Sequence, residues 1–408
     1  MISREGIKEL IKNPLFFIKS RTQGESIFHY FIKKIISIIL AIIFLPLSIL
    51  ILFSKYRIAN VFVFRIGHLL LETLSLINDD KLKNKILIIP SNKNIANKFF
   101  FNFKINRVIF VKSNFLSYLI LSIFFFSTIS LNIKKYLRDS KNIYSYKIFK
   151  KKNLDFLTLD KNQIKLRDEL FEKIGINKND KLVCISNREI GFSAIDDNQF
   201  DYRNCSIQNY QKVVKYMNDL GMWVFRIGNS FTNLDYKDPK YIELNKLDYF
   251  KKSSEFLVSS KCEFHLGTTS GASIFATIFN RPSLITNNVP LASNHWLEKD
   301  LLIFKKYKFK NSDQYLKFIK IIEMQLENNF EGKNFSREGL DLIENNEEEL
   351  LDLVKEHMGL ISFSKEEIKN INIVKKIFFE NLKENNRNYK YNANISNHYV
   401  LHNTDLFT

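Results

Sequence analysis

Between Asn60 and Ile77 the hydrophobic period of the chain changes. Asn60 to Ile66 is a short β-branched and aromatic run that predicts a buried strand, Gly67 interrupts it, and His68 to Ile77 continues with apolar residues at helical spacing. Strand, glycine, helix is how a doubly wound α/β domain opens. Two more apolar runs bounded by turn residues, Lys85 to Ser91 and Arg107 to Lys112, predict further strands and a first domain over 58–165. Residues 153–180 are charged and helical and read as a linker. The pattern then restarts. Strands are expected at Lys181 to Glu189, Met222 to Asn229, Glu263 to Gly271 and Pro282 to Asn288, with a helix over Ile207 to Leu220 that stops at Gly221. Apolar strands alternating with helices predict a second parallel sheet, over 181–330. In the remaining 331–408, Asn346 followed by Glu349 is the signature of a capped helix packing back on a domain. The polar, asparagine-rich 365–408 is expected to run partly extended along the protein.

One run fits neither period. Ile35 to Phe53 carries no charge over about 19 residues, enough to cross a bilayer core, with Lys33 and Lys34 before it and Lys55 and Arg57 after it. Pro46 kinks it, and no small-residue cleavage site follows. Residues 1–57 are therefore read as a basic segment with a membrane anchor that spans, re-enters or lies in one leaflet. A buried core helix is the plain alternative. Flanking charge does not orient the run. The shorter, serine-richer Phe115 to Leu131 reads as a domain helix that grazes the bilayer.

Composition sharpens this. Hydrophobic residues make up 45%, enough for packed cores, and the formal net charge of +18 calls for an anionic partner. Nucleic acid and an anionic membrane both fit that sign; the anchor and the lack of any nucleic-acid motif favour the membrane. Cys184, Cys205 and Cys262 form no CxxC pair, which suits a reducing compartment and offers no metal site.

The candidate chemistry starts from a loop. The chain has 12 glycines in 408 residues, yet places two of them in the five residues Gly267 to Gly271. If a strand ends here, Gly267 turns the chain and Ser270-Gly271 opens a helix, unpaired backbone N–H groups face an anion, and the hydroxyls of Thr268, Thr269 and Ser270 add donors. In a parallel sheet this is the carboxyl end of a strand, where ligands bind. The loop is neither a Walker motif nor GxGxxG, and a tight capped turn is the alternative reading.

That loop resembles the nucleotide-sugar loop of GT-B glycosyltransferases. The segments FRIGHLLLE, SNREIGFSAIDDNQFDYRNCSIQNYQ, MWVFRIGN, HLGTTSGAS, GLDLIENNEEELLDLVKE and ANISNHYVLHN occur in order. Together they resemble a bacterial family of surface-polysaccharide glycosyltransferases, over about 58–405. The resemblance implies an α/β fold of two Rossmann-like domains facing a cleft, with the N-terminal membrane-associated helix outside it. It also implies a nucleotide-sugar donor, a lipid-linked or surface polysaccharide (capsular or lipopolysaccharide) acceptor, no metal or other cofactor, and the cytoplasmic side of the inner membrane. Within it, His68 and Glu72, four residues apart on one helical face, could supply a general base. Arg188 and Arg203 could hold phosphate, and Asp201 could orient Arg203 or act as an acid or base. Arg226 is a further phosphate candidate, and Asn229 a base or ribose contact. The Gly267, Thr268, Thr269, Ser270, Gly271 loop takes the donor phosphate. Adjacent Asp196 and Asp197 point different ways and make no metal site. His265 is as readily a core histidine as a ligand, and His295-Trp296 a packed pair or a stacking surface. Transfer of a phosphorylated polyol on the same fold, or a non-enzymatic membrane-associated scaffold or nucleic-acid protein, are the competing functions.

Overall fold

The computed structural model describes residues 27–91, 94–124, 153–191, 200–293, 295–385 and 392–408. In chain order its first elements are helices α1 (Ile27–Ile43) and α2 (Leu45–Phe53), strand β1 (Tyr56–Ile58), α3 (Ile66–Ile77), β2 (Ile86–Pro90), β3 (Val108–Val111) and α4 (Asn114–Ile123). Then follow α5 (Lys161–Ile174), β4 (Leu182–Ser186), α6 (Gln211–Asp219), β5 (Trp223–Arg226), β6 (Tyr241–Glu243), α7 (Ser254–Ser259), β7 (His265–Thr268), α8 (Ile274–Ile278) and β8 (Ser283–Asn288). The chain closes with β9 (Leu301–Phe304), β10 (Lys306–Phe309), β11 (Leu340–Ile343), α9 (Glu347–His357), α10 (Lys365–Asn385), β12 (Asn394–Ile395) and α11 (Asn397–His402).

Two compact units result: the described residues of 1–61, 84–95 and 106–133 form one, and the rest form the other. This grouping divides the range 58–165, because α3 belongs with the larger unit, and leaves 181–330 whole within that unit. The smaller unit is a parallel sheet in the order β1–β2–β3 with α4 on it. Helices α1 and α2 meet at Phe44 and are bent by 67°. Pro46 sits in the first turn of α2, where its missing N–H costs no hydrogen bond. No single helix among the described residues is long and apolar enough to cross a membrane; the bent pair passes that test only together.

The expected strand at Asn60 to Ile66 is displaced. The ladder is β1, extended by the Ala59 N–H to the Ile88 carbonyl at 2.8 Å. Beyond it the backbone is claimed elsewhere. The Phe62 N–H donates to Glu72 Oε2 at 2.8 Å, and the Val63 carbonyl accepts from the Ala96 N–H at 2.9 Å.

The larger unit holds a seven-stranded sheet in the order β12–β9–β8–β7–β4–β5–β6, all neighbours parallel. All residues of β4, β5, β7 and β8 are buried, as strands covered on both faces should be. From β4 the chain winds outward through β5 and β6, crosses back to β7 beside β4, and winds the other way through β8 and β9. This is the doubly wound order with its switch point between β4 and β7. Local signals fix the helices. Asp160 and Gln163 make a capping box for α5, which ends at Gly175 in the left-handed region (φ 87°); Asn346 and Glu349 cap α9 likewise. The tail is more helical than the partly extended run expected over 365–408. Ile371, Val374, Phe378 and Leu382 form a buried stripe on α10, and Phe378 packs on Phe304, Phe318 and Phe407 at ring separations of 5.3–6.0 Å. High asparagine content had hidden a helical period.

Candidate functional site

The switch point gives the Gly267–Gly271 loop its first meaning. Ser186 ends β4 opposite Gly267 of β7. A Cβ on Gly267 would fall 2.2 Å from the Ser186 carbonyl oxygen, so only glycine fits. Gly267 is thus a strand residue, and the turn comes after it. The expected helix start at Ser270-Gly271 is also late: residues 269–273 are bends and turns, and α8 has only five residues. So short a helix carries little dipole. Gly271 has a different purpose. A Cβ on it would lie 2.9 Å from Ile66 Cγ2 and 3.1 Å from the Gly67 N, and a Cβ on Gly67 would lie 2.8 Å from Gly271 Cα. Neither residue takes a left-handed φ. The pair exists so that the first turn of α3 can pack directly on the loop. Gly67 therefore serves this close approach and does not break the chain between strand and helix.

This contact brings a 12-residue helix to the loop by its N-terminus, with no side-chain cap on its first turn. The first N–H groups of α3 have no intrahelical acceptor. The loop supplies polar atoms of its own. Thr268 Oγ1 and Ser270 Oγ are buried and without a hydrogen-bond partner among the described residues. One strand over, Asn288 Oδ1 collects three donors: Thr269 Oγ1 at 3.2 Å, Ser293 Oγ at 2.6 Å and His295 Nε2 at 2.9 Å. Its amide Nδ2 is buried with no partner among the described residues. Burial pushes His295 down to about 3, so it stands as a neutral N–H donor in this cluster. Burial does the same to His265, which bonds Ser186 Oγ at 2.8 Å and is a core histidine. Asn288 and Ser293 were missed in the sequence. Their signal was a pair of amides closing an apolar parallel strand, Asn287-Asn288.

His68 and Glu72 lie one turn apart on α3, immediately after Gly67. Glu72 is buried, and its Oε1 is 3.0 Å from His68 Nδ1 while its Oε2 holds the Phe62 N–H. The His68 side chain is 47% exposed. In the neutral ring, with Nδ1–H donated to the carboxylate, the lone pair is on Nε2.

The arginines have other work. Arg226 is fully buried, and its guanidinium donates to Asn187 Oδ1 (2.8 Å), Glu189 Oε1 (2.9 Å) and the Thr232 carbonyl (2.5 Å), with Glu243 at 3.7 Å. It braces the loops after β4 and β5, a structural role in place of the phosphate contact expected from the sequence. Burial tends to raise the Glu189 carboxyl, but N–H groups of Phe231 and Thr232 and the Arg226 charge hold it below its usual range. Asn229 is exposed beside this brace. Arg188 donates to Asn204 Oδ1 at 2.7 Å, and Arg203 lies over the Phe200 ring at 4.6 Å. Asp201 accepts the Tyr202 N–H at 2.7 Å and abuts Gly332, where a Cβ would clash with its carboxylate. Asp196 and Asp197 lie outside the described residues.

Glu255, a lone carboxyl in an apolar stretch, also touches the site: it accepts the Gly228 N–H at 2.9 Å, and Gly228 in turn lies against Ala272. Burial raises it to about 7, more than the Gly228 N–H lowers it. Its ordinary value is 4.5, so the folded chain holds an extra proton between the two values. The stability this group contributes is complete below about 4.5 and is lost as pH rises through about 7. Glu255→Gln removes the titration. Between about pH 5 and about pH 8 the variant is expected to lose less stability than wild type by on the order of 1–3 kcal/mol, read by urea denaturation. Equal slopes for the two proteins would refute the assignment.

No protein-family model matches the chain, and no curated protein does. Among solved structures, a glycosyl transferase of family 9 from Veillonella parvula aligns over 56% of this chain and 79% of its own, at 12% identity and a TM-score of 0.38. The ADP-heptose lipopolysaccharide heptosyltransferase II of E. coli covers 58% and 85%, at 9% identity and 0.36. The iron-containing dodecameric glycosyltransferase TibC of enterotoxigenic E. coli covers 75% and 76%, at 11% identity and 0.37. Superpositions this loose carry no argument, and the functional reading rests on the side chains.

Proposed function

We propose that this chain is a glycosyltransferase that moves a sugar from a nucleotide-activated donor to a lipid-linked or surface polysaccharide acceptor at the cytoplasmic face of the inner membrane. One observation carries the reading. An exposed histidine oriented by a buried carboxylate follows the glycine that packs on a loop with partnerless buried hydroxyls. Base and anion site thus share one place at the switch point of a parallel sheet. In the reaction, His68 Nε2 takes the proton of the acceptor hydroxyl as its oxygen attacks the anomeric carbon. The bond from that carbon to the donor diphosphate breaks. Negative charge grows on the leaving diphosphate, where the Thr268 and Ser270 hydroxyls, the Asn288 amide and the first N–H groups of α3 stabilise it. Glu72 stabilises the imidazolium formed.

The test is titration calorimetry with a panel of nucleoside diphosphates. Thr268→Val is nearly isosteric and removes only the partnerless hydroxyl. It should leave folding stability unchanged or slightly higher, and weaken the preferred nucleotide by roughly ten- to a hundredfold, the worth of one hydrogen bond to a charged group. A wild-type chain that binds no nucleotide in the panel, or a Thr268→Val chain with unaltered affinity, would sink the donor site. Gly271→Val is not a clean probe, because it disturbs the docking of α3.

A further inference from the structure

We propose that α1 and α2 form an elbow that lies in a single leaflet of an anionic bilayer and does not cross it. This deepens the membrane part of the reading above and is independent of the transfer chemistry. Exposure shows what must be covered. Phe31, Ile35, Ile38 and Ile42 line one face of α1, and Leu50 and Phe53 of α2 are 65% and 85% exposed. The opposite face is tied down. The Lys33 carbonyl accepts from Tyr118 Oη at 3.0 Å, Ser37 Oγ is 2.9 Å from Ser122 Oγ, and Ser48 Oγ donates to the Ile123 carbonyl at 2.8 Å.

These ties settle the path. They pair rising positions on α1 with rising positions on α4, so the two helices run side by side in the same direction. Helix α4 starts directly after β3, and Ser117 locks its first turn to the Val111 carbonyl and the Ser91 N–H. At the other end, two residues separate α2 from β1. Both ends of the elbow therefore return to one three-stranded sheet. A span would require that sheet, with its open edges and polar turns, to lie across the bilayer, which lipid does not tolerate.

Charge and capping name the occupant. The described residues of this unit contain no Asp or Glu; every acidic or basic charge is a Lys or Arg. A surface of that sign beside exposed aliphatic side chains fits acyl chains under anionic headgroups. Arg57 covers the end of α2, donating to the carbonyls of Ile51 (3.0 Å), Leu52 (2.9 Å) and Ser54 (2.8 Å). Carbonyls lowered into the acyl region, where no water reaches them, need such an internal donor.

The experiment uses the full chain with an epitope at each terminus. It should float with phosphatidylglycerol vesicles, float less as salt rises, and lose both epitopes together to protease added from one side. The double variant Ile35→Glu, Ile42→Glu changes exposed positions; it should keep the wild-type circular dichroism and melting curve, yet lose flotation. An N-terminal epitope protected while the C-terminal one is cut would mean a span and overturn the proposal. So would a chain that ignores vesicles, whether it is a monomer or a dimer that buries the face against a second copy. Nucleotide affinity, measured separately, keeps this failure distinct from failure of the donor site.

Discussion

Replacing His68 by alanine is expected to lower sugar transfer by about 10²–10⁴-fold, the usual worth of a positioned general base. Nucleotide affinity should be unchanged, because the donors proposed for the diphosphate are on the loop, on Asn288 and on the backbone of α3. Folding should also survive, since the His68 side chain is 47% exposed and makes its polar contact with Glu72. The companion variant Glu72→Gln separates orientation from packing. A glutamine oxygen still accepts the Phe62 N–H, but its amide would face His68 Nδ1 as a donor. That forces the proton to Nε2, so this nitrogen is no longer basic. Turnover should fall with the fold intact, whereas Glu72→Ala should also cost about 1–3 kcal/mol of stability by stranding the Phe62 N–H. Wild-type turnover in the His68→Ala chain would reduce the pair to a brace that fixes α3 to the backbone before it.

The largest stability effect is expected at Arg226. Arg226→Ala leaves Glu189 and Glu243 as buried carboxylates without their guanidinium, and a broken buried pair of this kind costs about 3–5 kcal/mol. Lysine should rescue little, because one ammonium cannot reach Asn187, Glu189 and the Thr232 carbonyl in the fork geometry they require. Denaturant titration measures the loss. A chain as stable as wild type but unable to bind nucleotide would reverse the assignment and return Arg226 to the donor phosphate.

Much of the α/β pattern can be read along the chain, because burial on both faces of a parallel strand forces an apolar run of the right length. The strands around Ile86, Val108, Val183, Val224, Leu266 and Leu284 all announce themselves in this way, and Asn346 marks its helix by the capping chemistry of four residues. Short edge strands do not. Tyr241–Glu243 and Asn394–Ile395 are too brief to show a period, and they exist because a neighbouring strand offers its free ladder edge.

The candidate site divides along the same line. By itself the sequence determined that a glycine- and hydroxyl-rich loop follows a buried strand, and that a histidine and a glutamate share one face of a helix, since both facts depend only on neighbours in the chain. Tertiary structure decided what the residues do. Gly67 and Gly271 are spaced far apart in sequence, and the reason each lacks a side chain is the segment that holds the other: Gly271 Cα for Gly67, Ile66 and the Gly67 backbone for Gly271. Arg226 carries the same charge whether it meets a phosphate or two carboxylates, and only the folding of β5 beside β4 brings Glu189 within 2.9 Å. Local period is written in side-chain hydrophobicity; the partner of a glycine or of a buried charge is not, because it depends on which distant segment the fold delivers.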